Sequence, residues 1–193
     1  MVGTEMPVLQ SERLIVRPFQ MGDLDAFHQI LDIDMDFGGA TYDERRDWLE
    51  WAVRNYQQLA RLYQPPYGER AVTLKDGNLV GAVGLVPSGI PWGVLPDFRA
   101  PGEPPNTFVS PEFGLFWAIG PAYQRQGYAS EAAGALIDYV FRTIYARRVI
   151  AQTDHTNLAS QAVMRRLGMK VYANPGDDPF WFEVVGVLNN PAG

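Results

Sequence analysis

The stretch F113-G-L-F-W-A-I-G-P-A-Y-Q-R-Q-G-Y-A-S130 passes from an apolar run, through a polar turn with one glycine, into residues at helical spacing. F113-G-L-F-W-A-I119 is expected to be a buried strand. A helix is expected from about Gly127 to Phe141, with Ala132, Ala133, Leu136, Ile137 and Val140 as its apolar stripe. A helix start leaves about four backbone N–H groups without intrahelical partners, and the aligned peptide dipoles place partial positive charge there. Strand, glycine-bearing turn and helix therefore make a generic anion cradle, in which Gly127 permits close backbone approach and Arg125 adds a cation. The turn lacks the Lys-Ser/Thr ending of a P-loop and the three glycines of a dinucleotide fold, which counts against nucleotide triphosphates and NAD.

Working outward, R13-L-I-V-R-P-F19 alternates apolar and polar residues like a half-buried strand. M21-G-D-L-D-A-F-H-Q-I-L31 follows at helical spacing, with Asp23 as the expected cap. D43 to L62 predicts a longer helix with Trp48, Trp51, Ala52, Asn55, Leu59 and Leu62 along one side, and with Arg45 and Arg46 on an exposed face. R70-A-V-T-L-K75 and L79-V-G-A-V-G-L-V86 flank D76-G-N78, a hairpin signal because such turns need residues comfortable at positive φ. Seven prolines from Pro87 to Pro111 predict a long loop, a candidate lid. Beyond the third helix, R148 to T153 predicts a strand and N157 to L167 a helix closed by Gly168. M169 to A173 and W181 to L188 predict two more strands. Antiparallel neighbours followed by strands separated by helices predict an α+β or mixed α/β fold, with residues 1–193 as a single domain around one central sheet.

Composition narrows the function classes. Hydrophobic residues are 47% of the 193 and charged residues 20%, as in ordinary globular chains. A formal net charge of −6 makes nucleic acid an unexpected partner, without opposing a local cationic pocket. With no cysteine, disulfides and thiolate sites are excluded. His28 and His155 are the two histidines, too few for a typical zinc cluster, so no metal is expected. No apolar run reaches about 18 residues and no signal-like start is legible, so neither a membrane span nor export is expected and the cytoplasm is the default. A homodimer is the ordinary prior for a small enzyme.

Gln124, Gly127 and Ala129 match the Q/R-x-x-G-x-G/A signature of the GNAT N-acetyltransferase superfamily, between the strand and helix where that family places it. N157-L-A-S160 with V163-M-R-R-L-G168-M169 resembles the family's N-x-x-S-x-x-V-x-x-x-L-G-F ending. L9-Q-S-E-R-L-I-V-R-P-F19 is similar to the opening strand of the branch holding the ribosomal-protein N-terminal acetyltransferases and their small-molecule relatives. The resemblance implies a GNAT fold, a mixed sheet whose two central strands splay apart to admit acetyl-CoA. It implies that the pantetheine arm pairs with backbone groups of Trp117, Ala118 and Ile119. The diphosphate would rest on the N–H groups of Arg125, Gln126, Gly127, Tyr128, Ala129 and Ser130, with Asn157 and Ser160 holding the pantetheine amides or capping their helix.

The chemistry it implies is direct attack of a neutral primary amine, of a small molecule or a protein N-terminus, on the thioester in a ternary complex. A backbone N–H near Trp117 or Ala118 would hold the developing oxyanion. Relatives often carry a Glu as base seven residues before the proline, a position that is Gly114 here. Glu112 lies two residues earlier, on the same side of a regular strand and about 7 Å further away, so it is the candidate for base or for relay through water. The Tyr that many relatives use to protonate the thiolate is Met164 here. Both departures keep a noncatalytic acyl-CoA binding module as the alternative. F180-W-F182 could line the acceptor site, with packing as its simpler role.

Overall fold

The computed structural model describes residues 5–193, and the fold is mixed α/β. The chain divides into two compact units. The first holds the residues up to Val86 together with Phe116–Tyr145; the second holds Pro87–Leu115 and Ala146–Gly193.

In the first unit, β1 (Leu9–Gln10), β2 (Leu14–Arg17), β3 (Gly68–Leu74) and the start of β4 (Leu79–Ile90) pair antiparallel in that order. The expected hairpin is present: Leu74 and Asn78 bond across the turn at 2.9 Å, and Gly77 takes φ 93°. The end of β5 (Ser110–Ile119) lies beside β4, where Gly120 N–H donates to the Val80 carbonyl at 2.9 Å. A Cβ on Gly81 would come within 2.1 Å of the Ala118 carbonyl oxygen, so only glycine permits this approach. Ala71, Ala82 and Ala118 pack with Phe19, Phe27, Leu31 and Leu49 in one core cluster. Leu14, Val16 and Val72 are buried as well, and α3 (Tyr128–Tyr139) packs along β1 and β2. The expected apolar stripe of α3 is buried from Ala132 to Val140, and the helix runs on into a π-helical turn over Val140–Ile144.

Residues 21–34 differ from the one helix expected. A 3-10 turn (Met21–Asp23) leads into α1 (Leu24–His28) and then a π-helical segment (Gln29–Asp34). Asp23 does not cap α1 with its side chain. Its carboxylate accepts from the Gln20 N–H at 2.8 Å and from both terminal nitrogens of Arg17 at 2.8 and 2.7 Å, because a guanidinium fork offers the better-matched donors.

The α2 helix (Tyr42–Arg61) starts on a Thr41–Glu44 capping box. Its buried line is Arg45, Leu49, Ala52 and Ala60; of the expected face, Ala52 is buried and Trp48 packs half-buried against the core, whereas Trp51 is 55% exposed and Leu62 is 66% exposed. Arg45 is buried because it closes on Asp32, with Nε to Oδ2 at 2.8 Å and Nη2 to Oδ1 at 2.7 Å. Burial works against the Asp32 charge. The Arg45 and His28 bonds outweigh it and hold the carboxyl below its ordinary range.

In the second unit, β6 (Arg148–Thr153) runs parallel to the first half of β5, with Gly114 opposite Ile150. It pairs antiparallel with β8 (Val184–Asn189), which in turn pairs with β7 (Lys170–Ala173). The α4 helix (Leu158–Arg166) packs on β6, β7 and β8, and Met164, fully buried, sits against Gly186, whose added Cβ would lie 3.0 Å from its sulfur.

The proline-rich segment is more ordered than a loop from Pro87 to Pro111. Its first residues extend β4 to Ile90, and 3-10 turns form over Trp92–Val94 and Pro96–Phe98. Ile90, Val94 and Leu95 join Ile150, Phe182, Val185 and Val187 in the core of this unit, and β5 begins at Ser110. Prolines hide this from a periodicity argument, because their short apolar insertions between breakers are too brief to show a period.

Candidate active site

The end of the strand identified from the sequence, from Phe116 on, runs on through the turn into the helix within the first unit. Trp117 is half-buried at the end of β5, and Ala118 and Ile119 are buried. After a 3-10 turn (Pro121–Tyr123), Gln124 folds back and its side-chain amide donates to the Ile119 carbonyl at 2.9 Å. Asn78 Nδ2 donates to the Tyr123 hydroxyl at 2.8 Å, which ties the turn to the hairpin. Arg125 then takes φ 61° and Gly127 takes φ 86°, the latter as the N-cap of α3. Left-handed backbone at a non-glycine residue is uncommon, and two such positions within three residues coil the turn tightly into the helix start. Gln124, Arg125 and Gln126 are exposed, while Gly127, Tyr128, Ala129 and Ser130 are half-buried. The Gly127 carbonyl takes the first helical bond, from Glu131 N–H at 3.0 Å. By helix geometry the N–H groups of Tyr128, Ala129 and Ser130 precede the reach of that ladder, so the donor set suits an anion.

The turn has a support that the sequence did not reveal. Arg13, between β1 and β2, donates through Nη1 to the Gln126 carbonyl at 3.0 Å and lies 4.6 Å from the centroid of the Tyr128 ring. Its Nε and Nη2 meet Glu131 Oε2 at 2.7 and 2.6 Å. Glu131 Oε1 accepts from the Arg13 N–H at 2.8 Å and the Ser11 hydroxyl at 2.7 Å. Burial opposes the charge on Glu131, and these donors together reverse that and lower its carboxyl below the ordinary range. The partners are 118 residues apart, so nothing local in the sequence links them.

The remaining candidates belong to the second unit. Glu112 has a 9% exposed side chain whose two oxygens are both engaged. Arg148 Nε donates to Oε2 at 2.8 Å and Arg148 Nη2 to Oε1, while Trp92 Nε1 donates to Oε1 at 2.9 Å. The Arg148 guanidinium also lies 4.5 Å from the centre of the Trp92 rings. Asn157 caps α4, its Oδ1 accepting from the Ser160 N–H at 3.0 Å, as its position before the helix suggested. Of F180-W-F182, Phe182 is core and Phe180 is 83% exposed. Among the described residues, no group of three or more His, Cys, Asp or Glu could hold a metal ion. No helix among them is long and apolar enough to cross a membrane.

Comparison with known proteins places this strand, turn and helix inside a family. Residues 13–170 match the model of the Acetyltransferase (GNAT) domain, and the chain belongs to that family, whose members use acetyl-CoA. An uncharacterized N-acetyltransferase, YnaD, of Bacillus subtilis (strain 168) is 43% identical over 58 residues, 30% of this chain and 34% of that protein. The chain thus spans about a third of that relative's length. In fold, an acetyltransferase of Agrobacterium tumefaciens str. C58 has a TM-score of 0.68 at 22% identity, covering 96% of this chain and 95% of that one. The ribosomal L7/L12 alpha-N-protein acetyltransferase RimL, solved in complex with coenzyme A, has a TM-score of 0.69 at 16% identity, covering 97% and 100%.

Proposed function

We propose that the protein is an acetyl-CoA-dependent N-acetyltransferase acting on a primary amine, of a small molecule or of a protein N-terminus. The observation that carries this reading is the left-handed Gly127 opening the twelve-residue α3 at the end of the turn that follows β5, inside a chain segment that matches the GNAT domain model. The N–H groups from Arg125 to Ser130 take the diphosphate of the donor. Backbone groups of Trp117, Ala118 and Ile119 take its pantetheine arm. Residues 1–193 work as one catalytic domain.

The amine nitrogen forms a bond to the thioester carbon as the carbon–sulfur bond breaks, and the CoA sulfur leaves with the electron pair. A backbone N–H at Trp117 or Ala118 stabilises the charge on the carbonyl oxygen. A thiolate with a pKa near that of cysteine, roughly 8.5, leaves without an acid, which agrees with a buried Met164 at the position where relatives carry Tyr. The proton of the attacking amine passes to water. Glu112 serves that transfer as base or relay only by giving up bonds to Arg148 and Trp92; its geometry favours anchoring those two side chains.

The test is an acetylation panel of small primary amines and N-terminal peptides, followed by CoA thiol release. Release above the buffer rate with one class identifies the acceptor. Tight CoA binding with no release across the whole panel supports the noncatalytic acyl-CoA binding module instead.

A further inference from the structure

The contacts of Arg13 bear on the donor turn in two ways. The Gln126 carbonyl and the Gly127 N–H belong to one peptide unit, and a planar trans peptide points its oxygen and its hydrogen in opposite directions. A guanidinium that holds the Gln126 oxygen toward the β1–β2 turn at 3.0 Å therefore aims the Gly127 N–H the other way. Glu131, meanwhile, lies in the first turn of α3, where its negative charge would oppose an incoming phosphate. The same guanidinium, with Ser11 and the Arg13 N–H, gathers both oxygens of that carboxylate and offsets its charge. The face of Tyr128 against the guanidinium fixes the fork in place.

We propose that Arg13 is a positioning residue for the acyl donor: it sets the orientation of the Gln126–Gly127 peptide and neutralises Glu131, and so tunes the turn for a diphosphate without touching it. The inference rests on the reading that this turn holds the donor's diphosphate. It distinguishes two parts of that ligand, since the diphosphate should feel Arg13 and the thioester end should not.

The experiment is a calorimetric titration of CoA into the full chain and into R13Q, R13K, E131Q and the R13Q/E131Q double variant. Turnover of acetyl-CoA and of S-acetyl-pantetheine, which lacks the diphosphate, is measured alongside. Loss of one charge-assisted bond network predicts CoA binding weakened about 10- to 100-fold in R13Q. R13K, which keeps the charge and loses the fork, falls between R13Q and the parent, and decides the matter if R13Q does not fold. The double variant binds CoA more tightly than R13Q, because the bare carboxylate is gone. kcat/KM for S-acetyl-pantetheine stays within about twofold of the parent in every variant, because that donor has no phosphate to meet the helix start. CoA affinity unchanged in R13Q and R13K overturns the proposal, as does an equal loss with both donors. A parent chain that binds no CoA removes the donor reading itself and this inference with it.

Discussion

Arg148 grips both oxygens of the Glu112 carboxylate, and its guanidinium lies over the rings of Trp92, whose indole N–H donates to the same carboxylate at 2.9 Å. The candidate base of the sequence is therefore also the keystone of a side-chain cluster joining β5, β6 and the first 3-10 turn of the proline-rich segment. Substituting Glu112→Gln keeps the volume and removes the charge. It is expected to cost about 1–3 kcal/mol, seen as a lower Tm, because Arg148 then lacks its counter-ion. If Glu112 only anchors, the pH dependence of kcat/KM keeps its shape; a lost or displaced limb would assign it the proton transfer.

Asp32 gives a prediction in pH. Its folded carboxyl lies below the ordinary range, so its contribution is complete above the unfolded pKa of about 4 and is lost as pH falls through the folded value. Asp32→Asn should cost about 3 kcal/mol at pH 7, since it strands the buried Arg45 guanidinium. The difference in Tm between the parent and Asp32→Asn should be flat from pH 7 to about 5 and shrink toward pH 3. A difference that grows on acidification would contradict this account of the Asp32 network.

The two sides of α2 should respond very unequally. Leu49 is fully buried against Phe19, Phe27 and Ala71, so Leu49→Ala should cost about 2–5 kcal/mol. Trp51 is more than half exposed, and Trp51→Lys should change stability by about 0.5 kcal/mol or less. Denaturant midpoints measure both, and a large loss at Trp51 would point to a surface covered by a partner.

These residues also mark what the sequence could and could not reveal. The D76-G-N78 hairpin, the stripe of α3 and the strand Arg148–Thr153 were legible because each rests on a local rule of turn chemistry or periodicity. The buried face of α2 was legible at Ala52 and Trp48 but missed at Arg45, which counted as polar, and at Leu49 and Ala60, whereas Trp51 and Leu62 counted toward it by their size and hydrophobicity. The charge on Arg45 is tolerated inside only because Asp32 meets it from another helix, a nonlocal fact. At the candidate site, the Gln124–Ser130 turn could be found from one glycine at a strand–helix junction. Its Arg13–Glu131 brace could not, nor could the engagement of Glu112 by Arg148 and Trp92, since each depends on residues far apart in the chain.

If backbone donors at the head of α3 hold the diphosphate, the affinity of CoA for Gly127 variants reports on them most directly. Gly127→Asn tolerates the left-handed backbone at φ 86° and should retain the fold, and its smaller, uncharged side chain should weaken CoA binding less than Glu does. Gly127→Glu places bulk and negative charge at the cradle, so a chain still folded by its melting curve should lose at least about 100-fold in CoA affinity, or roughly 2.7 kcal/mol. Folded Gly127→Glu protein that binds CoA as tightly as the parent would contradict the account.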